Sequence, residues 1–157
     1  MANLFNVDNV HETLKLPFPA STKQAAGIVS GVLTDVMSVS FCDKILVIIS
    51  QKGRLSHWLQ VPLENTNPGT TGFHTFSSEA NDDSLLPLTG LTATTLLGGH
   101  APGHDTLGQL YARQIASAII MKTPHEKRVL VVGLGLSICE PDKDVFATVI
   151  DLVLRCI

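Results

Sequence analysis

The chain has 157 residues, of which 45% are hydrophobic and only 16% are Asp, Glu, Lys or Arg, against about 25% charged residues in an ordinary soluble domain. This length fits a single domain with a real core, and the apolar content argues against intrinsic disorder. The net charge of −3 argues against a general nucleic-acid binder, which needs a basic surface.

The cysteines and the N-terminal residues indicate a reducing compartment. Cys42, Cys139 and Cys156 form no C-x-x-C pair, so neither a disulfide framework nor a zinc knuckle is indicated. The first twenty residues carry Asp8 and Glu12 and lack the basic start and apolar block of a signal peptide. No segment offers the roughly 20 apolar residues that span a bilayer. We therefore expect a soluble, intracellular protein that has free thiols and no membrane partner.

The N-terminal part of the chain reads as an arm followed by strands. Residues 1–22 form a predicted flexible arm, and residues 23–157 form a predicted single domain. From Ala25 the pattern is that of a strand, and it has two faces: Leu33, Asp35, Met37, Val39 and Phe41 lie on one, and Thr34, Val36, Ser38 and Ser40 lie on the other. The run Ile45–Ile49 is continuously apolar and β-branched, as in a strand buried on both faces. With a further strand at Ser56–Val61, the pattern predicts an antiparallel meander.

Periodicity disappears in the middle of the chain. Residues 62–90 are rich in turn-forming residues and are predicted to be a mobile acidic insertion in the domain. Between Leu55 and Ala112 there is no Lys or Arg but there are five acidic residues. The net negative charge of the chain therefore comes from this middle stretch.

The C-terminal part alternates strands with helices. Leu91–Leu97 and Val129–Leu136 are predicted strands. Between them, Thr106 and Gln109 have the spacing of a capping box that opens the first helix. A second helix is predicted to start at Pro141 and Asp142. The predicted fold class is α+β: an antiparallel β-meander or sheet packed with two main helices in a single domain.

The last helix is apolar over more than one face. Ile150, Leu154 and Ile157 widen its apolar arc to roughly 200°, whereas a one-sided surface helix needs little more than 100°. The preceding helix has a similar secondary face at Ala116 and Ile120. Our hypothesis is that these five residues form a dimer or partner interface. The alternative is that both sides of the last helix are buried within one chain, between the sheet and the other helix.

No motif of enzyme chemistry is complete in this sequence. Gly133 and Gly135 follow an apolar strand, but the third glycine of a dinucleotide-binding turn is missing. His100, His104 and Asp105 lie on a loop with Pro and Gly between them, which favours solvated side chains over a metal site. No nucleophile has an evident base. We predict no catalytic, cofactor-binding or metal-binding residues and no cofactor, so the chain does not look like an enzyme.

Several segments, taken in order, resemble the proteasome assembly chaperone 3 family. The segments that resemble the family's N-terminal meander are Lys23-Gln24, Val29–Val32, Ile45–Val47 and Gln51–Gly53. Those that resemble its C-terminal half are Thr95–Gly98, the helix from Leu107, the strand Val129–Leu136 and the terminal helix through Cys156. The arm, the insertion after Leu63 and the loop Gly99–Asp105 are longer here than in short members of the family.

The resemblance implies a function as well as a fold. It implies a small α+β chaperone that pairs with a related subunit, proteasome assembly chaperone 4, or with itself. Such a dimer promotes formation of the α-ring of the proteasome core particle by holding α-type subunits, and it needs no nucleotide. A generic dimerising α+β scaffold of a trafficking or signalling complex is the alternative, because a fold does not fix a function.

Overall fold

The computed structural model describes residues 20–64, 87–88, 90–100, 103–137 and 142–157. This part of the chain forms six strands and two helices. They are β1 (Ser21–Val29), β2 (Val32–Ser40), β3 (Lys44–Gln51), β4 (His57–Pro62), β5 (Thr94–Gly98), α1 (His104–Lys122), β6 (Val129–Gly135) and α2 (Lys143–Leu154). The predicted α+β class is confirmed.

The six strands form one sheet in the order β1-β2-β3-β6-β4-β5. All neighbours are antiparallel except β3 and β6, which run parallel. The predicted meander is therefore wrong at one step, because β4 pairs with β6 and not with β3. β3 and β6 are the two most continuously apolar strands, and the sheet gives them its two central positions, where burial is greatest.

Both helices pack on one side of the sheet, which we call the covered face. α2 lies over β1 and β2, while α1 lies over β4, β5 and β6. Alternate residues of each strand point to this side and are buried there, as the period of two in a strand requires. The fully buried strand residues of the core are Val29, Val36, Val47, Ile49, Leu59, Val61, Leu130 and Val132.

The first two strands form a hairpin that the strand prediction did not separate. Ser30 and Gly31 make the two-residue turn, with φ angles of 50° and 76°, and Val29 pairs with Val32 across it. Two positive φ angles match the right-handed twist of hairpin strands. The Ser-Gly pair between apolar residues was the available signal in the sequence.

α1 begins earlier than its predicted capping box. Its N-cap is Gly103, with φ of 78° and no side-chain hydrogen bond, and the helix starts at His104. The capping box of Thr106 and Gln109 is wrong, because Gln109 lies one turn inside the helix. Its Nε2 donates instead to Oδ2 of Asp105 at 2.7 Å. That contact is an i,i+4 pair on the helix surface.

α2 begins close to its predicted start and is capped by Asp142. Oδ1 of Asp142 accepts from the main-chain N–H of Asp144 at 2.8 Å, which satisfies a free donor of the first turn. The helices meet through Tyr111 and Phe146, whose ring centroids are 4.7 Å apart. Burial is the main cause that raises the pKa of Tyr111 to about 12. Among the described helices, none is long and apolar enough to cross a membrane.

Two predicted segments fall mainly outside the described residues. Only residues 20–22 of the predicted arm are described, and β1 begins among them at Ser21. Of the predicted insertion at 62–90, residues 65–86 and 89 are outside the description, as is Cys139. Strand β5 starts at Thr94, three residues after the predicted strand start.

Candidate partner-binding surface

The five residues of the predicted interface do not form one exposed surface. Ala116 and Ile150 are buried inside the chain, at 0% and 4% exposure. Ile120 and Ile157 are partly buried against the core. Leu154 is 48% exposed. Because α2 packs against both the sheet and α1, much of its wide apolar arc is already used within the chain.

The side of the sheet opposite the helices, which we call the open face, carries a broad apolar surface. Strand pairing aligns residues of this face into rows that cross all six strands. One row is Gln24, Met37, Ile48, Gly133, Trp58 and Leu97. The row beside it is Thr22, Val39, Leu46, Val131, Gln60 and Thr94. Neither described helix contacts this side.

Large aliphatic side chains on the open face are exposed to solvent. Ile28 and Leu33, which pair across β1 and β2, are 63% and 54% exposed, and Leu97 on β5 is 66% exposed. Contiguous exposed apolar surface of this kind marks interaction sites in soluble proteins. The prediction that β3 is buried on both faces is wrong for the chain alone, because Leu46 and Ile48 are only half-buried.

Trp58 forms a platform on the open face at β4, the strand next to the β5 edge of the sheet. Its six-membered ring lies over Gly133 of β6, where an added Cβ would be 3.0 Å from Cη2 and from Cζ3. Glycine therefore allows the indole to lie against the neighbouring strand. Aromatic side chains in such positions are enriched at protein interfaces.

A buried histidine lies on the opposite side of the same strand. His57 is 4% exposed, and a Cβ on Gly99 or Gly108 would collide with its ring. Its Nε2 is 3.3 Å from Oγ1 of Thr95, and that hydroxyl donates to Oδ1 of Asp105 at 2.5 Å. Because the Thr95 hydroxyl donates its hydrogen to Asp105, its oxygen acts as the acceptor toward His57. Nε2–H of the neutral ring is therefore the donor to Thr95.

The charge state of His57 follows from this burial. Desolvation lowers its pKa from 6.5; Asp105 opposes the shift, and His104 and His100 add to it. Both Thr95 and Asp105 face the same ring nitrogen, at 3.3 and 3.6 Å. A catalytic triad places the carboxylate on the other nitrogen. The arrangement therefore anchors β4, β5 and α1 to one another and does not form a nucleophilic site.

An ion pair fixes the opposite end of the sheet. Arg128 contacts Glu126 at 2.6 Å and donates through Nη1 to Ser40 Oγ and to the Phe41 carbonyl, both at 2.7 Å. The hydrogen bond from Arg128 lowers the pKa of Glu126 to about 2. The contacts attach the start of β6 to the turn after β2, beside the exposed thiol of Cys42.

The predicted absence of a metal site stays a prediction for the whole chain. Within the described ranges, no group of three His, Cys, Asp or Glu side chains is placed to hold a metal ion. Two of the potential ligands from the sequence, His104 and Asp105, lie in the first turn of α1. Asp105 accepts hydrogen bonds from Thr95 and Gln109.

Comparison with known proteins identifies relatives of this fold. A family model described as proteasome assembly chaperone 3 matches residues 47–156, which is more than half of the chain. Among solved structures, a chain of a yeast complex titled "Crystal Structure of a Novel Chaperone Complex for Yeast 20S Proteasome Assembly" is similar, with a TM-score of 0.57 and 15% identity. The similarity covers 85% of this chain and 96% of the yeast chain. No curated protein matches the sequence.

Proposed function

Because the chain belongs to the proteasome assembly chaperone 3 family, we propose that it works as a dimer, with a related chaperone subunit or with itself, and promotes formation of the α-ring of the proteasome core particle. The observation that carries this proposal is the apolar open face. An exposed sheet face with Leu33, Met37 and Trp58 needs a partner to remove it from water.

The proposed dimer contact is made sheet to sheet. Two sheet faces pack about 10 Å apart with their strands nearly aligned, and their side chains interdigitate. The half-buried Leu46 and Ile48 of β3 would then become fully buried. This accounts for the continuous apolar run at residues 45–49, which one covered face alone does not require.

A sheet-to-sheet dimer leaves the helix layer outward. Met121 on α1 and Leu154 on α2 are 67% and 48% exposed there. We propose this side for α-type subunits, so that Leu154, from the predicted interface, contacts the client and not the chaperone partner. Chaperone action then needs only differential binding: the dimer stabilises an early ring intermediate and leaves when a later subunit takes its place. No catalytic group or cofactor enters this mechanism, which would operate in the cytoplasm or nucleus.

Co-expression with a proteasome assembly chaperone 4-like subunit and α-type subunits, followed by native mass measurement, tests the proposal. We expect a chaperone dimer and a larger species that contains an α-type subunit. Leu33→Glu should abolish the dimer, while Leu154→Glu should retain it and lose the α-type subunit. Circular dichroism checks that both variants fold. Consistent absence of α-type subunits from the wild-type complexes would favour the scaffold alternative.

A further inference from the structure

The open face contains a groove with a carboxylate in it. Asp35 is exposed and pairs with Ala26 on one side and Ser50 on the other, and Ser50 pairs with Gly135. Every cross-strand neighbour in this row is therefore small. The rows beside it carry large side chains, including Leu33 and Met37.

The small row and its taller neighbours leave a depression of about 440 Å³, which we call the Asp35 groove. Its lining includes Gln24, Ala26, Met37, Ile48 and Ser50. A depression of this volume has room for a long side chain that enters from a facing sheet. Asp35, which lines it, determines which chemistry such a side chain must have.

Little on this chain's own open face could neutralise Asp35. Of the described strand residues that point to this side, only Lys44 is a cation, and its Nζ already contacts Asp43 at 3.1 Å, at the end of β3 away from the groove. Lys52 and Arg54 follow β3, and the main chain of Arg54 covers Gly135 at the end of the row. Both residues are exposed, but neither lines the groove.

Given the dimer proposed above, we infer that the partner is a different chain that places a Lys or Arg side chain in the Asp35 groove. A carboxylate buried between two sheets without a cation is strongly unfavourable. A second copy would bring another Asp35 and no free cation on its strands. The carboxylate therefore selects for a basic partner surface and against self-pairing, as charged residues commonly do at specific interfaces.

Binding of purified chaperone 4-like subunit from the same cells to three variants tests this inference. Asp35→Asn should weaken binding about tenfold and Asp35→Lys at least about 100-fold. Asp151→Lys makes the same charge change on α2, where Asp151 pairs with Arg155 at 2.6 Å, and should change binding less than about threefold. One Lys→Asp or Arg→Asp change in the partner should restore binding of the Asp35→Lys variant.

The outcomes separate the inference from the function it rests on. Equal binding by Asp35→Lys and Asp151→Lys, with the complex still lost in Leu33→Glu, overturns the groove assignment and leaves the sheet-to-sheet dimer intact. A stable homodimer of the wild-type chain at a concentration of about 10 µM also overturns it. Such a dimer would mean that the chain associates with itself with a Kd of about 1 µM or lower. Failure of the wild-type chain to bind the subunit overturns both proposals. Circular dichroism and gel filtration of each variant establish that the binding loss is not unfolding.

Discussion

The two faces of this sheet are built from the same strands and differ mainly in what covers them. On β2, Val36 points to the helices and is 1% exposed, whereas Leu33 points away and is 54% exposed. Both are aliphatic. The covered face is completed by α1 and α2 within the chain, and the open face is completed by nothing in the described residues. The covered face therefore supplies stability, while the open face is available for a partner.

Placing a charge on each face should give the largest contrast. Val36→Glu buries an unpaired carboxylate in the core and should lower the free energy of unfolding by about 3–5 kcal/mol. Leu33→Glu, on an exposed position, should change it by less than about 1 kcal/mol. Urea denaturation followed by circular dichroism measures both. Equal destabilisation would show that the open face is part of the chain's own core.

Filling two of the packed glycines, Gly108 and Gly133, gives a smaller and more local contrast. Gly108→Ala puts a methyl group into the buried ring of His57 and should cost about 1–3 kcal/mol, because neither helix nor strand can move freely. In Gly133→Ala the nearest neighbour of the new methyl group is the ring of Trp58, which can shift toward solvent, so the change should cost less than about 1 kcal/mol.

Fluorescence separates these two glycine variants. Trp58 is the only tryptophan of the chain, so its emission reports on the open face. We expect the emission maximum to move in Gly133→Ala and to stay unchanged in Gly108→Ala. The reverse result would mean that the indole packs differently from the platform described above.

The smallest expected effect is the pH dependence that comes from His57. Its pKa is lowered from 6.5 by burial, so the unfolded chain takes up the proton first as the pH falls. The free energy of unfolding is therefore unaffected by His57 above pH 6.5. Below that pH it declines, by at most about 1.4 kcal/mol per pH unit for one proton.

His57→Gln, compared with the exposed His125→Gln, checks the assignment of this decline. For each variant, the unfolding free energy at pH 5.5 is compared with its value at pH 7. The fall between these two pH values should become smaller in His57→Gln. It should persist in the second. A decline that survives in His57→Gln would have to come from other groups.

Local patterns in the sequence predicted most of the elements but not their arrangement. The strand pattern that starts at Ala25 identified β2, and the continuous apolar runs at β3 and β6 identified two further strands. Nothing local indicates that β6 enters between β3 and β4, because that pairing joins residues far apart in the chain, such as Leu59 and Val132. The N-cap of α1 was missed because Gly103 supplies no side-chain cap.

A wide apolar arc on a helix has two possible causes, a partner interface or burial of both sides within one chain, and the sequence does not distinguish them. In the structure Ile150 is covered within the chain, since α2 contacts α1 as well as the sheet. The open face did leave a trace in the sequence: apolar residues such as Leu33 and Met37 occupy the second face of β2 as well as the first. A strand with one solvated face normally alternates with polar residues.

Hydroxyl-radical footprinting with mass spectrometry tests the central claim most directly, because methionine and tryptophan react strongly and lie on both sides of the molecule. Met37 and Trp58 are on the open face, and Met121, 67% exposed, is on the helix side. Binding of the chaperone 4-like subunit should protect Met37 and Trp58 and leave Met121 unchanged. Protection of Met121 with no change at Met37 and Trp58 would contradict the account.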